Sequence, residues 1–299
     1  MSATTQKKID SFSLSIQPMT LADIPRLHQL SVAASWMHRR EDWEFALKLG
    51  EGVFAVDEIG RVAGSAVLFP IAADFAALGM VIIAPRLVEG GTDHWLVEQV
   101  LAQADGLGSA GMEADGMDLV VGASTETYPA YVAHGFRAGR TIFQFQGVIS
   151  GLLPPADPRV RRLRAEDLPQ LFAVDAAAYP VLRPRILDPL LALSSASVIE
   201  EDGRITGYAL CRPFGRGQII GPIVALNDAD AIALALPHMA TSAGAFIRVD
   251  TRETEGAFRD FLQAAGLKLH DTAITMYRGR DRRATGPQRI FGLVNHGIG

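Results

Sequence analysis

Two tandem copies of one α/β unit are what this 299-residue sequence predicts. Strand-like apolar runs alternate with segments of helical period, the pattern of a mixed sheet flanked by helices. The order of these segments repeats once along the chain. Near the middle lies Leu152-Leu153-Pro154-Pro155-Ala156-Asp157-Pro158, whose consecutive prolines suit neither a helix interior nor a central strand and mark a linker. Domains are therefore expected at 1–150 and 151–299, each long enough to bury its own core.

Residues 13–19 alternate like a strand. Thr20 with Asp23 reads as a capping-box-like helix start, and the helix continues through Leu27, Leu30 and Ala34. Residues 53–56 and 62–69 are strand-like and flank Glu58-Ile59-Gly60-Arg61, a hairpin signal. The apolar run 78–84 has the character of a buried central strand. From Asp93, the residues Leu96, Val97, Val100, Leu101 and Ala104 fall at helical spacing. A strand at 118–123, a short helix at 129–133 and a strand at 141–148 complete the first copy. Residues 289–294 read as one more strand, expected to complete a sheet edge.

Four correspondences establish the repeat. Asp23-Ile24-Pro25-Arg26-Leu27 returns as Asp167-Leu168-Pro169-Gln170-Leu171, 144 residues on, and Gly60-Arg61-Val62-Ala63-Gly64 as Gly203-Arg204-Ile205-Thr206-Gly207, 143 on. Apolar runs end at Ile83-Ala84 and Val224-Ala225, 141 apart, and His134-Gly135-Phe136 matches Ala265-Gly266-Leu267, 131 apart. The order is kept while the offsets shrink, as shorter loops in a duplicated unit require.

Composition excludes several classes. With 48% apolar and 20% charged residues the chain is of ordinary globular type, and no apolar run approaches the roughly 18 residues of a membrane span. The first residues lack a secretory signal's apolar stretch, so a cytoplasmic location is expected. The single cysteine, Cys211, makes no intrachain disulfide. The net charge of −5 divides into −7 for residues 1–150 (10 Lys+Arg, 17 Asp+Glu) and +2 for the rest (18 and 16). Neither half has a nucleic-acid-binding face, and the cluster Arg159, Arg161, Arg162 and Arg164 reads as a solvated domain entrance. The seven histidines show no HxxxH or HxH spacing, so no metal is expected, and no GxSxG nucleophile motif occurs.

Two segments look like phosphate sites. Gly106-Leu107-Gly108-Ser109-Ala110-Gly111 fits GxGxxG, but a helix precedes it and a strand follows, the reverse of what a dinucleotide fold needs. The strand at 78–84 has the right context: it feeds a loop with Gly90-Gly91-Thr92 and then a helix start, whose free amides and dipole suit an anion.

With that strand, glycine loop and helix at 78–104, and with Tyr131 four residues before Gly135-Phe136, the first half resembles the GCN5-related N-acetyltransferase (GNAT) superfamily. Ser35-Trp36-Met37-His38-Arg39-Arg40-Glu41-Asp42-Trp43 is similar to a stretch in a tandem-GNAT subgroup. Gly221-Pro222-Ile223-Val224-Ala225 and Met276-Tyr277-Arg278-Gly279 resemble that subgroup's YitH-type C-terminal domain. The resemblance implies two GNAT domains, each a twisted mixed sheet flanked by helices, and acetyl-CoA as co-substrate. Acetyl-CoA would lie between the strands at 78–84 and 118–123, on the backbone of Met80, Val81 and Ile82. Arg86, Gly90, Gly91 and Thr92 would hold its pyrophosphate, and Tyr131 would give a proton to the leaving thiolate.

The implied activity is acetyl or acyl transfer to the amine of a small molecule, with Trp36, His38, Arg39 and Trp43 lining the acceptor pocket. Tyr128 is a weaker proton donor. Glu41, Asp42 and Asp74 are candidate bases, and Arg183, Arg185 and Arg212 candidates for an acid-binding pocket in the second half. Asp93 stands where the family loop has a small residue. The second half has Asn227-Asp228-Ala229-Asp230 without glycine, and Leu262 where the first has Tyr131. The first half is therefore the expected catalytic one. A duplicated scaffold that senses an acyl-CoA or metabolite without turnover is the alternative.

Overall fold

The computed structural model describes residues 6–9, 12–90, 92–108, 117–242, 244–280 and 282–299. The chain forms two compact units: Met1–Gly139 with Ile274–Arg280 and Ile298, and Arg140–Ala273 with Asp281–Gly297 and Gly299.

In the first unit, strands β1 (Gln6–Ile9) and β2 (Phe12–Pro18) lead to helix α1 (Ile24–Ala33), entered through a 3-10 turn. Asp23 closes that turn by accepting from the Thr20 amide at 3.0 Å and the Thr20 hydroxyl at 2.7 Å. Helix α2 (Arg40–Leu49) is an element the pattern above does not include. It opens on Asp42, which accepts from the Arg39 amide, and buries Trp43, Ala46 and Leu49. Strands β3 (Glu51–Val56), β4 (Val62–Ala72) and β5 (Phe75–Ile83) form an antiparallel meander.

A 3-10 turn (Pro85–Gly90) then leads into α3 (Thr92–Gly108). Its Val97, Val100, Leu101 and Ala104 pack on Val53, Ala66, Leu68, Ala76 and Leu78 of the sheet, which is the helical period read from the sequence. Gly106 to Gly108 of the GxGxxG match lie in this helix, and the rest of the match falls outside the described residues. Strand β6 (Asp118–Ala123) runs parallel to β5 and is followed by α4 (Tyr128–Ala133) and β7 (Arg137–Val148).

The second unit repeats the order. It contains β8 (Val160–Arg162), α5 (Leu168–Ala178), α6 (Pro184–Leu193), β9 (Ser195–Glu201), β10 (Arg204–Phe214), β11 (Gly217–Ala225), α7 (Asp228–Thr241), β12 (Phe246–Thr251), α8 (Ala257–Ala264) and the part of β13 (Lys268–Arg278) up to Ala273. A last strand, β14 (Arg289–Gly292), falls within the segment read as one. The fold class is thus α/β, a mixed sheet flanked by helices, built twice.

The units are not contiguous halves of the chain. In the first, β6 pairs antiparallel with residues 274–278 of β13, from Ile274↔Ala123 to Arg278↔Leu119. In the second, β12 pairs antiparallel with β7, from Phe246↔Val148 to Thr251↔Phe143. Part of β13, from the second half of the sequence, thus joins the first unit's sheet, and part of β7, from the first half, joins the second's.

Candidate active site

The first unit opens where its two parallel strands part. β5 and β6 pair from Phe75↔Asp118 to Leu78↔Val121, and no further. The cause lies on the other side of β5, where the register with β4 jumps from Val67↔Gly79 to Ser65↔Ile82, so β5 carries an extra residue. Met80 sits in this bulge at φ +53°, a left-handed conformation that costs a non-glycine residue energy, and the Ser65 hydroxyl donates to its carbonyl at 2.7 Å. Bulges bend strands, and this one turns residues 79–83 away from β6. Main-chain groups of Met80, Val81 and Ile82 are left beside a gap at the carboxyl ends of parallel strands, where α/β sheets take ligands.

In the chain, β5 is followed by the turn that enters α3. Thr92, the first residue of that helix, is fully buried, and its hydroxyl has no hydrogen-bond partner among the described residues. A buried, unsatisfied hydroxyl beside free helix amides fits an anionic group such as a pyrophosphate. Gly90 closes the preceding turn, while Gly91 lies outside the described residues. Arg86 is half-exposed and stands 3.6 Å from Asp57. With Arg26, Gln29 and Arg61 it lines a cavity of about 480 Å³. Burial opposes the charge on Asp57, but the hydrogen bonds from Arg61 outweigh it and keep this carboxyl below the usual range. Arg26 and Arg61 were not marked by the sequence, because only the packing of α1 on the β3–β4 turn brings them together.

Tyr131 is buried in α4, with its ring edge-on to Phe136 at 5.3 Å. Burial, and then the negative charge of Asp93 in the first turn of α3, raise its pKa well above that of an ordinary phenol. The phenol therefore keeps its proton at neutral pH. Tyr128, in the same helix, is half-buried against the same core.

Of the four residues of the expected acceptor pocket, Trp36 and His38 lie together, while Arg39 and Trp43 have partners of their own. Trp36 is 40% exposed and stacks on His38 at 5.3 Å in the loop between α1 and α2. Arg39 grips Asp42 through Nε at 3.2 Å and Nη2 at 2.9 Å. Trp43 is completely buried, and its indole N–H donates to Ser31 at 2.8 Å. Of the acids, Asp42 is committed to the α2 entry, Asp74 pairs with Arg280 at 2.6 Å, and Glu41 is exposed. In the second unit, Arg183 is buried against Asp175 at 2.8 Å, Arg212 is buried with its guanidinium 4.8 Å from the Phe214 ring centre, and Arg185 is exposed.

Among the described residues no cluster of three or more His, Cys, Asp or Glu is placed to hold a metal. No helix there is long and apolar enough to cross a membrane.

Parallel strands parting beside a β-bulge, ahead of a helix that starts on buried polar groups, define the GNAT acetyltransferase fold. Residues 171–292 match the family described as acetyltransferase (GNAT) domain. Solved structures extend the fold to nearly the whole chain. A crystal structure of a provisionally described acetyltransferase from Pyrococcus horikoshii superposes with a TM-score of 0.76 at 16% identity, covering 96% of each chain. A GCN5-related N-acetyltransferase from Sphaerobacter thermophilus gives 0.63 at 17% identity, over 89% of this chain and 95% of that one. A tandem GNAT protein from the clavulanic acid biosynthesis pathway gives 0.57 at 14% identity, over 89% and 98%. A search of curated proteins returns no match.

Proposed function

We propose that this protein transfers an acetyl or related acyl group from coenzyme A to the amine of a small molecule, in the first unit. The observation that carries the reading is the parting of β5 and β6 at the Met80 bulge, with the buried hydroxyl of Thr92 at the next helix start. Main-chain groups of residues 80–82 on the side of β5 that has left β6 suit the amides of a pantetheine arm, and the start of α3 suits its phosphates. Arg86 adds positive charge at the same end of β5.

In such a transfer a neutral amine attacks the thioester carbonyl, its nitrogen gives up one proton to solvent water, and the carbon–sulfur bond breaks to give an amide and a thiolate, with any proton donated by a side chain regained from solvent. A main-chain N–H of the bulge is suited to the oxygen that becomes negative, and Tyr131 to donating the proton the thiolate takes. The phenol carries its proton at neutral pH, as a donor must.

Asp93 is the feature that opposes phosphate binding, and it dictates the test. Calorimetric titration with acetyl-CoA, wild type beside Asp93→Gly, is expected to give micromolar binding by the wild type, followed by thiol release in an amine screen. No binding by either protein overturns the reading. Binding without turnover across the screen would leave the non-catalytic acyl-CoA sensor as the better description.

A further inference from the structure

The second unit has the same parting of parallel strands, with a different fate. β11 and β12 pair at Gln218↔Ile247 and Ile219↔Arg248 and then diverge. Into the divergence comes β14. It pairs antiparallel with β11 through Ile223↔Gly292, Val224↔Ile290 and Ala225↔Arg289, the stretch corresponding to residues 82–84, which begins at the last residue of the β5 edge at 80–82. Just beyond it, the Leu293 amide donates to the Asp250 carbonyl of β12 at 2.8 Å. The segment is therefore stitched to both walls.

Its seating is close. A Cβ on Gly221 would stand 1.9 Å from the Leu293 carbonyl oxygen, so only glycine admits the two backbones at this distance. Phe291, Leu293 and Val294 are buried, and Phe291 meets Phe258 edge-on at 5.5 Å. Arg289 is anchored by Glu253 at the mouth.

We infer that residues 289–294 occupy the second cleft in place of a pantetheine arm, so that the protein binds one acyl-CoA per chain. The count of one rests on the function proposed for the first unit. β14 has taken the pairing of residues 223–225, and the Leu293 backbone stands against Gly221, so the room beside both is used. The helix that follows is closed to phosphate as well. The Asn227 side chain accepts from the Asp230 amide at 3.0 Å, and Asp228 and Asp230 put two carboxylates in the first turn of α7. Leu262, fully buried, fills the place of Tyr131. The expected strand at the C-terminal end thus exists, but it fills an opening inside the sheet rather than completing an outer edge.

Hydrogen exchange of the full chain, with and without acetyl-CoA, tests this together with calorimetric stoichiometry. In the free protein the amides of Ile290, Gly292 and Leu293 are expected to exchange as slowly as those of β11. Acetyl-CoA is expected to bind at one equivalent, protecting residues 79–83 and leaving 220–225 unchanged. Gly221→Ala, which forces the segment outward, is expected to speed exchange at 290–293 at least tenfold without altering β5. Fast exchange of 290–293 in the wild type, two equivalents of ligand, or ligand-induced protection at 220–225 would each overturn the inference. Absence of acetyl-CoA binding would remove the proposed function, and with it the count of one, while the exchange at 290–293 would still decide whether the cleft is filled.

Discussion

Replacing Tyr131 with phenylalanine removes one oxygen and leaves the ring that packs edge-on to Phe136. The fold is therefore expected to survive, with little change in melting temperature and less than twofold change in acetyl-CoA affinity. A positioned proton donor contributes about 100-fold or more to such a step, equivalent to about 2.7 kcal/mol of barrier. The predicted result is a fall of roughly that size in kcat, followed as free thiol at saturating acetyl-CoA with an accepted amine. The pH profile gives a second reading. Burial and Asp93 raise the phenol's pKa, so wild-type turnover should show no alkaline loss from this group below pH 10. Asp93→Asn removes the smaller of the two causes and should bring the alkaline limb to lower pH. Unchanged turnover in Tyr131→Phe would remove the residue from the mechanism, and a wild-type limb well below 10 would refute the account of its environment.

Thr92→Val keeps the volume and deletes the buried hydroxyl, so it should weaken acetyl-CoA binding about tenfold, the scale of a hydrogen bond to a charged group, as read by calorimetry. Trp43→Phe leaves Ser31 without its indole donor inside the core. A stability loss of about 1–3 kcal/mol in urea, with the acceptor KM unchanged, is expected if the residue packs rather than binds. Burial lowers the pKa of His238 to about 4, from an ordinary value near 6.5. A depressed pKa gives stability that is complete above about 6.5 and is lost as pH falls toward about 4, here about 3 kcal/mol, so His238→Gln should flatten the urea midpoint across that window. Residues 1–150 expressed alone lack Ile274–Arg278, leaving an edge of β6 open, and should aggregate in light scattering where the full chain does not.

The sequence carried the fold well wherever period and punctuation agreed. Val97, Val100, Leu101 and Ala104 repeat at helical spacing and do pack on the sheet, and the 58–61 turn does separate two strands. Helix α2 is not marked by the sequence pattern, although Trp43, Ala46 and Leu49 pack inward and Arg39 before it pairs with Asp42. Burial decides between those roles, and burial is a tertiary fact. The strand 78–84 and the helix start after it were legible, but the Met80 bulge was not, since it is the register with β4 that holds a non-glycine residue at positive φ there, and a register is not written in one strand's sequence. The exchange of strands was hidden for a different reason. The strands at 141–148 and 268–278 carry similar apolar patterns, and a pattern states that a strand forms without stating which strand it meets.

Duplication places the same opening in both units, and small local differences then separate their uses. In the first, a left-handed Met80 breaks the pairing of β5, a hydroxyl waits unsatisfied at a helix start, and a phenol is held protonated nearby. In the second, each of these is cancelled by a side chain or a strand of the same chain: Asn227 caps the helix, Leu262 replaces the phenol, and β14 takes the edge. Unsatisfied main-chain groups in a cleft are costly unless a ligand or the protein itself supplies partners. A unit that supplies its own partners relieves that cost internally. Its filled cleft and buried Phe291 then contribute to stability, while the copy that keeps its groups unpaired retains the capacity to bind.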